Sequence, residues 1–391
     1  MRFCRELSHI EQGRRCDSSG KTIGGDNVQC VTPMFYRYKL GEKKKGKIVP
    51  RQEVMHDLIM DPNSIRKCLE AANKNMSNYK YIKVPCNHCW ACQLKYSAEW
   101  ATRIMLESQK YEQNYYITLT YDQKNVPIAE QTSWEQYDPD PEDPHGPKIK
   151  TKQTRENDGT WGYTLYPEDM NTFINSLRKR FERKGHEGIK YFYCGEYGTE
   201  TQRPHYHIIL MNVPLNETKF YDPWIDDNWK AHWKSTELEE LWGKGIIDVC
   251  ELEWSCAAYV ARYCTKKIEL SGDKTIYLEN GKFPEFIRMS KGIGFDYFEK
   301  HYKEIYKNDE LILKTIKGNA GSIKPPRAYD KRLEEADPEL YRKIKKSREK
   351  ASKRTDQILQ SITDYTDMKM LEIAAGNLET KMSMLPRTGD W

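Results

Sequence analysis

The stretch that most limits how this chain can fold is KYFYCGEYGTETQRPHYHIILMN, from Lys190 to Asn212. Two runs rich in aromatic and β-branched residues, Lys190–Cys194 and His205–Asn212, flank a polar, Gly-rich GEYGTETQRP segment. Such runs read as strands, and the connection between them reads as a hairpin. Alternate side chains of a strand point to opposite faces, so His205 and His207 share one face. Upstream, YYITLTYD (Tyr115–Asp122) is a further strand. It is followed by a marked helix, YPEDMNTFINSLRKRFERKG, with Pro167 in its first turn, acids at its start and bases at its end. Met170, Phe173, Ile174, Leu177 and Phe181 form that helix's apolar stripe. Downstream come a short helix ended by Gly (TELEELWGKG), a strand (IIDVCEL) and a helix (SCAAYVARYCTKKI) with Ser255 as its expected N-cap. This order predicts an α+β domain, a central antiparallel β-sheet with flanking helices.

The chain has 391 residues, enough for one large domain with additions or for two. Its 26 tyrosines and 10 tryptophans argue against wholesale disorder. The balance of 63 basic and 58 acidic side chains leaves +5, too small an excess to establish a nucleic-acid partner unless the charges cluster. No secretory h-region or bilayer-length apolar run is visible, so a soluble intracellular protein with no membrane partner is expected. In that setting the 11 cysteines suggest metal or free thiols before disulfides. The expected organisation is a flexible extension over 1–29, a Cys-rich, zinc-binding segment and helix over 30–110, the α+β domain over 111–320, and a charged helical tail over 321–391. Within the domain, a Pro- and Asp-rich acidic insertion at 130–160 reads as a solvated loop.

Three groups of residues carry chemistry. Glu196, His205 and His207 offer two imidazoles and a carboxylate with positions left open, a donor set that suits Mn²⁺, Mg²⁺ or Zn²⁺ as a Lewis acid. Taken alone, a His-x-His pair also occurs on solvated strand faces. Tyr259 and Tyr263 are four apart, on one helix face, with Lys266 three residues further on. A phenol with an ordinary pKa of about 10 is a poor nucleophile, and a nearby cation or a metal-polarised electrophile is what would activate it. Without such a neighbour, the two tyrosines read as aromatic packing. Cys86, Cys89 and Cys92 follow a Cys-x-x-Cys-x-x-Cys spacing that wraps a tetrahedral Zn²⁺. Cys30 is the candidate fourth ligand, with His88 and Cys68 as alternatives. An iron–sulfur cluster uses similar spacings, but no further Cys-rich motif with a following Pro accompanies this one.

Taken in order, ITLTY (Ile117–Tyr121), YCGEYGTETQRPHYHIIL, YVARYCTKK and PCNHCWACQLKYSAEWATRIMLES resemble the motifs of the HUH endonucleases. The closest likeness is to the replication initiation proteins of single-stranded DNA phages of the Microviridae, in their gokushovirus-like branch. RMSKGIGFDYFEKH (Arg288–His301) is also similar to a segment of these initiators, and the resemblance spans roughly residues 30–300. It implies an HUH endonuclease domain over 111–320 that nicks and religates single-stranded origin DNA for rolling-circle replication. By this resemblance His205, His207 and Glu196 hold Mg²⁺ or Mn²⁺, Tyr259 and Tyr263 form the covalent 5′-phosphotyrosine, and Lys266 assists them. Cys30, Cys86, Cys89 and Cys92 would hold a structural Zn²⁺. The implied partners are origin DNA and a host DNA polymerase and helicase, in the host cytoplasm. An HUH transposase or mobilisation relaxase, and a non-catalytic zinc-dependent nucleic-acid-binding protein, are the alternatives.

Overall fold

The structure is a computed structural model that describes residues 79–128, 131–138, 149–156, 162–261, 281–314 and 320–383, apart from 88, 199, 227, 228, 364 and 366, together with Cys30 and the strands Arg15–Cys16, Thr22–Ile23, Met34–Lys39 and Lys47–Val49. The chain divides into two compact units. One is Trp100–Tyr297; the other joins the chain up to Glu99 with the chain from Phe298 onward.

The first part of the split unit contains a short ladder, β1 (Arg15–Cys16) with β2 (Thr22–Ile23). It also contains a three-stranded antiparallel sheet of β3 (Met34–Lys39), β4 (Lys47–Val49) and β5 (Tyr79–Val84), with β3 in the centre. Phe35 on β3 and Tyr81 on β5 are buried. Helix α1 (Trp90–Ser108) follows the cysteine cluster directly and runs across the division between the units.

The unit Trp100–Tyr297 is organised by hydrophobic alternation. Strand β6 (Asn114–Thr120) buries Tyr115, Ile117 and Leu119 and leaves Tyr116, Thr118 and Thr120 on the opposite face. After it comes a separate hairpin, β7 (Gln131–Asp138) with β8 (Ile149–Glu156). The acidic insertion is therefore not a loop throughout. Its flanks hold β-prone Thr, Trp, Tyr and Ile, and the ladder sets Glu135 opposite Lys152 in register. Helix α2 (Pro167–Glu182) then leads into β9 (Lys190–Tyr197) and β10 (Pro204–Met211). Next come β11 (Phe220–Ile225), β12 (Ala231–Ser235), α3 (Thr236–Trp242), β13 (Ile247–Glu251), α4 (254–261) and β14 (Phe286–Met289). These strands make one seven-stranded sheet in the order β11-β12-β13-β6-β10-β9-β14, with every pairing antiparallel.

Helices cover both faces of this sheet. On one, Ile117, Leu119, Tyr193, Tyr206, Ile208 and Val249 pack with the α2 stripe of Met170, Phe173, Leu177 and Phe181 and with Leu238 and Trp242 of α3. On the other, Phe192, Cys194, Ile209 and Met211 pack with Ala101 and Ile104 of α1 and with Ala257 and Val260 of α4. The helix ends follow local chemistry. Pro167 opens α2, the Ser235 side chain caps α3 by accepting from the Leu238 N–H, and Gly243 closes α3 at φ 63° in the left-handed region. Ser255 is not the N-cap of α4; it lies within the first turn, where its hydroxyl donates to the Glu253 carboxylate.

The later part of the split unit runs through α5 (Phe295–Asn308), β15 (Leu311–Lys314), β16 (Ala320–Ile323), α6 (Arg327–Ala336), α7 (Pro338–Ile362) and α8 (Asp367–Ser383). Asp337 caps α7 by accepting from the Leu340 N–H, with Pro338 in the first turn. The charged tail is anchored rather than merely solvated. Arg348 of α7 donates to Asp309 at 2.8 Å and to Asp330 at 2.7 Å, and Tyr306 donates to Asp330 at 2.7 Å.

Candidate active site and metal centres

The register of three neighbouring strands assembles the first site. His205 of β10 lies opposite Glu196 of β9 and Thr120 of β6, and His207 lies opposite Cys194 and Thr118. Cross-strand partners share a face, so Glu196, His205 and His207 converge near the end of the sheet where β9 turns into β10. Glu196 sits within a strand and not in the turn where its Gly-rich surroundings suggested. The strands run two or three residues further than their apolar runs, and the turn closes through a Gly198 N–H to Arg203 carbonyl bond. Gly195 is a packing residue of β9. A Cβ there would come within 2.9 Å of Phe286 and 3.0 Å of Leu165 and Tyr206.

One carboxylate oxygen, Glu196 Oε1, lies 3.0 Å from His205 Nε2 and 2.6 Å from His207 Nε2. The other, Oε2, is buried and has no hydrogen-bond partner among the described residues. Glu196 and His207 are almost wholly buried, and His205 is partly so. A buried carboxylate oxygen without a partner is costly unless a cation satisfies it. Two imidazole nitrogens and a carboxylate that meet at one point therefore fit a divalent metal ion.

The two histidines are held differently. His205 Nδ1 faces the Arg203 carbonyl oxygen at 3.2 Å, an acceptor only, so Nδ1 carries the proton. With Nε2 against a carboxylate, the metal-free ring is then best satisfied as an imidazolium. Burial works against that charge, but the Glu196 carboxylate outweighs it and raises the His205 pKa above its ordinary value. Burial likewise opposes ionisation of Glu196, and the imidazoles of His207 and His205 overcome it and hold its pKa down at about 2. His207 Nδ1 instead faces two hydroxyls, Tyr116 at 2.7 Å and Thr118 at 3.1 Å.

Tyr259 on α4 is the described tyrosine of the expected pair. Its ring packs edge-on to His207 with centroids 5.2 Å apart, and edge-on to Tyr116 at 6.4 Å. Tyr263 and Lys266 lie outside the described residues. Next to Tyr116 is a further group that the motifs do not reveal. The Lys230 ammonium contacts the Cys256 thiol and lies 5.9 Å from the Tyr116 ring centroid. A hydrogen bond from Cys250 and the charge on Lys230 hold the Cys256 thiol at about 6 despite its burial. Burial, with Cys256 and Cys250 nearby, pushes the Tyr116 phenol well above its ordinary value, which keeps it a neutral hydroxyl.

The second site lies in the split unit. Cys30, Cys86, Cys89 and Cys92 bring their sulfurs within 4.8 Å of one another. Cys30 Sγ is 3.5 Å from Cys86 Sγ and 3.7 Å from Cys89 Sγ. Zn–S bonds of about 2.3 Å in a tetrahedron place sulfurs about 3.8 Å apart, so the cluster fits such an ion. Backbone N–H groups donate to it, Cys86 to Cys30 Sγ and Cys89 to Cys86 Sγ, each at 3.2 Å, as suits thiolates. Asn87 at φ 63° turns the chain between the first two local cysteines. Without a metal the thiols are poor neighbours. The Cys89 contact and burial push Cys30 up, and burial raises Cys92 to about 11. Cys30 thus joins the three local cysteines, while the alternatives His88 and Cys68 lie outside the described residues.

Fold and site together define a class: an α+β protein whose antiparallel sheet carries a metal-competent Glu-His-His centre beside a tyrosine-bearing helix. Residues 114–268 match the family model of the replication-associated protein ORF2. The replication-associated protein ORF2 of Spiroplasma virus 4 is 37% identical over 300 residues, covering 74% of this chain and 82% of that protein. The replication-associated protein VP4 of Bdellovibrio phage phiMH2K is 25% identical over 270 residues, 69% of this chain and 72% of that one. The replication-associated protein ORF4 of Chlamydia phage 1 is 24% identical over 249 residues, 61% of this chain and 53% of that one. No solved structure matches the chain. The chain belongs to the replication-associated protein family of these Microviridae-like phages.

Proposed function

We propose that this protein initiates rolling-circle replication by nicking and rejoining single-stranded origin DNA as an HUH-type endonuclease. The observation that carries the reading is the meeting of Glu196, His205 and His207 at one point, with the Tyr259 ring 5.2 Å from the His207 ring. The phage relatives named replication-associated proteins support the biological setting.

Glu196, His205 and His207 would hold Mg²⁺ or Mn²⁺, which when bound supplies Lewis-acid polarisation of the scissile phosphate. The rest of the reaction falls to the chain's own residues. A phenolate of Tyr259 or Tyr263 attacks phosphorus, the bond from phosphorus to the 3′ oxygen breaks, and the 5′ end is left joined to tyrosine. The freed 3′-hydroxyl primes a host polymerase. After one round the other tyrosine cleaves the regenerated origin, and the new 3′-hydroxyl attacks the first phosphotyrosine to close a circle. Two phenols one helical turn apart can alternate at one metal position. Lys266 would stabilise developing charge or ease deprotonation of a tyrosine. Cys30, Cys86, Cys89 and Cys92 would hold Zn²⁺ as a closed structural site. Strand separation would need a host helicase, and the setting is the host cytoplasm. No helix among the described residues is long and apolar enough to cross a membrane.

The test is a cleavage reaction on single-stranded origin DNA with Mn²⁺, followed by mass spectrometry of tyrosine–DNA adducts. Adducts at Tyr259 or Tyr263, absent from a Tyr259→Phe, Tyr263→Phe double variant, are expected. Adducts that persist in the double variant refute the mechanism.

A further inference from the structure

We propose that Tyr116 is a positioning residue for His207, the hydroxyl that lets this imidazole change tautomer when the Glu196–His205–His207 site takes up a divalent cation. The inference rests on reading those three residues as a metal site. Its starting point is the contrast between the two rings. His205 Nδ1 meets a carbonyl, which only accepts, so its protonation at Nδ1 is fixed. His207 Nδ1 meets the Tyr116 hydroxyl at 2.7 Å and the Thr118 hydroxyl at 3.1 Å, and a hydroxyl both donates and accepts.

Two proton arrangements follow. In the empty site, His207 Nε2 lies 2.6 Å from Glu196 Oε1, so Nε2 carries a proton and donates it to the carboxylate. The neutral ring then offers an Nδ1 lone pair, and the Tyr116 hydroxyl donates to it. Metal ligation through Nε2 requires that lone pair instead, which moves the proton to Nδ1. The same Tyr116 oxygen then accepts from Nδ1–H after rotation of one O–H bond. A carbonyl in its place would strain the empty site, and an ammonium would oppose the loaded one.

Geometry ranks Tyr116 above Thr118. Its contact is shorter by 0.4 Å, and its ring stacks on His207 with an interplanar angle of 12° and centroids 5.5 Å apart. Tyr116 is on the central strand β6, packed edge-on against Tyr259, so its position is fixed by the sheet and by the helix that carries the proposed nucleophile.

The experiment measures Mn²⁺ affinity by electron paramagnetic resonance on the full chain, with wild type, Glu196→Gln, Tyr116→Phe and Tyr116→Phe, Thr118→Val. Phenylalanine keeps the ring and removes only the hydroxyl, so a packing role would leave affinity unchanged. Loss of such an outer partner weakens metal binding about 10–100-fold. The single variant is expected near the lower figure and the double variant near the upper. Nitrogen-15 spectra of the histidine side chains add a direct signature: in wild type the His207 proton sits on Nε2 without Mn²⁺ and on Nδ1 with diamagnetic Mg²⁺. A Kd unchanged in both hydroxyl variants, alongside a Glu196→Gln variant that has lost binding, overturns this inference alone. Wild type that does not bind Mn²⁺, or a Glu196→Gln variant that binds as tightly as wild type, overturns the metal site and the inference with it.

Discussion

The two ligand clusters of this chain are assembled by opposite means. Glu196, His205 and His207 come together through strand register, and their three donors lie within twelve positions of sequence. The cysteine cluster takes three donors from one short turn and its fourth from Cys30, 56 residues before Cys86. The first keeps a carboxylate oxygen without a partner and leaves coordination positions open, which suits chemistry on a bound substrate. The second supplies four sulfurs and closes on itself, which suits a structural role. Strand register is built by the folded sheet whether or not a metal is present. A long-range sulfur contact is held largely by the ion itself, because the thiols alone disfavour each other's ionisation.

The largest effect should therefore come from the cysteines. Apparent binding free energies of structural zinc are about 10–16 kcal/mol, much of it folding free energy. A Cys86→Ser, Cys89→Ser variant is expected to lose its zinc, measured by elemental analysis. It should also lose amide-exchange protection at Phe35 and Tyr81, whose strands flank the cluster in sequence. Full protection in a zinc-free protein would show that the sheet β4-β3-β5 stands alone, and the contrast between the clusters would collapse.

Ligand changes at the strand-built site should leave the fold standing. His207→Ala or Glu196→Gln is expected to lower Mn²⁺ affinity and covalent DNA adduct formation by at least about 100-fold. Zinc content and amide-exchange protection of the central sheet should remain at wild-type levels. If the central sheet melts in these variants, the histidines and glutamate are structural and the comparison is wrong on its catalytic side.

Packing behind the register offers a third, smaller effect. Gly195 lies between Cys194 and Glu196, on the face opposite the ligands, where a Cβ would press on Phe286, Leu165 and Tyr206. Gly195→Ala is expected to destabilise the central unit by about 1–3 kcal/mol, the usual cost of overpacking, read as a lower urea midpoint. Zinc binding at the cysteine cluster should not change. An unchanged midpoint would mean that β9 shifts at no cost and that register is less tightly specified than the packing implies.

How much of this is legible in the sequence divides along the same line. The cysteine cluster is readable because spacing alone nearly closes a zinc site, and only Cys30 has to be reached across a long gap. The histidines are readable because a period of two puts them on one face. Glu196 can be picked out as a ligand, but its glycine neighbours look like turn residues and hide its place in a strand. Gly195 is there for the rings that pack against it. Tyr116 and Thr118 are visible only as the less buried half of an alternating strand. Nothing in their own neighbourhood says that β10 will bring His207 opposite Thr118. The hairpin β7–β8 is hidden by the prolines and aspartates between its strands, and the Lys230–Cys256 pair by distance in sequence.

The finest test of the comparison is pH. His205 has a raised pKa in the metal-free protein, so its folded form binds a proton that the unfolded chain has already released. That contribution to stability is full below about pH 6.5, the ordinary histidine value, and is lost as pH rises through the folded pKa. Glu196 acts in the opposite sense. Its folded pKa of about 2 lies below the ordinary 4.5, so its contribution is present above 4.5 and lost as pH falls toward 2. The metal-free protein therefore gains most from this pair in mild acid. Metal binding must displace the His205 proton, so Mn²⁺ affinity should fall by up to about tenfold per pH unit below that raised pKa. Titrations of Mn²⁺ from pH 6 to pH 9 should show this slope in wild type and lose it in His205→Gln, which has no proton to displace. A wild-type affinity that is flat over this range would mean that His205 is not a ligand, and would reduce the strand-built centre to a buried ion pair.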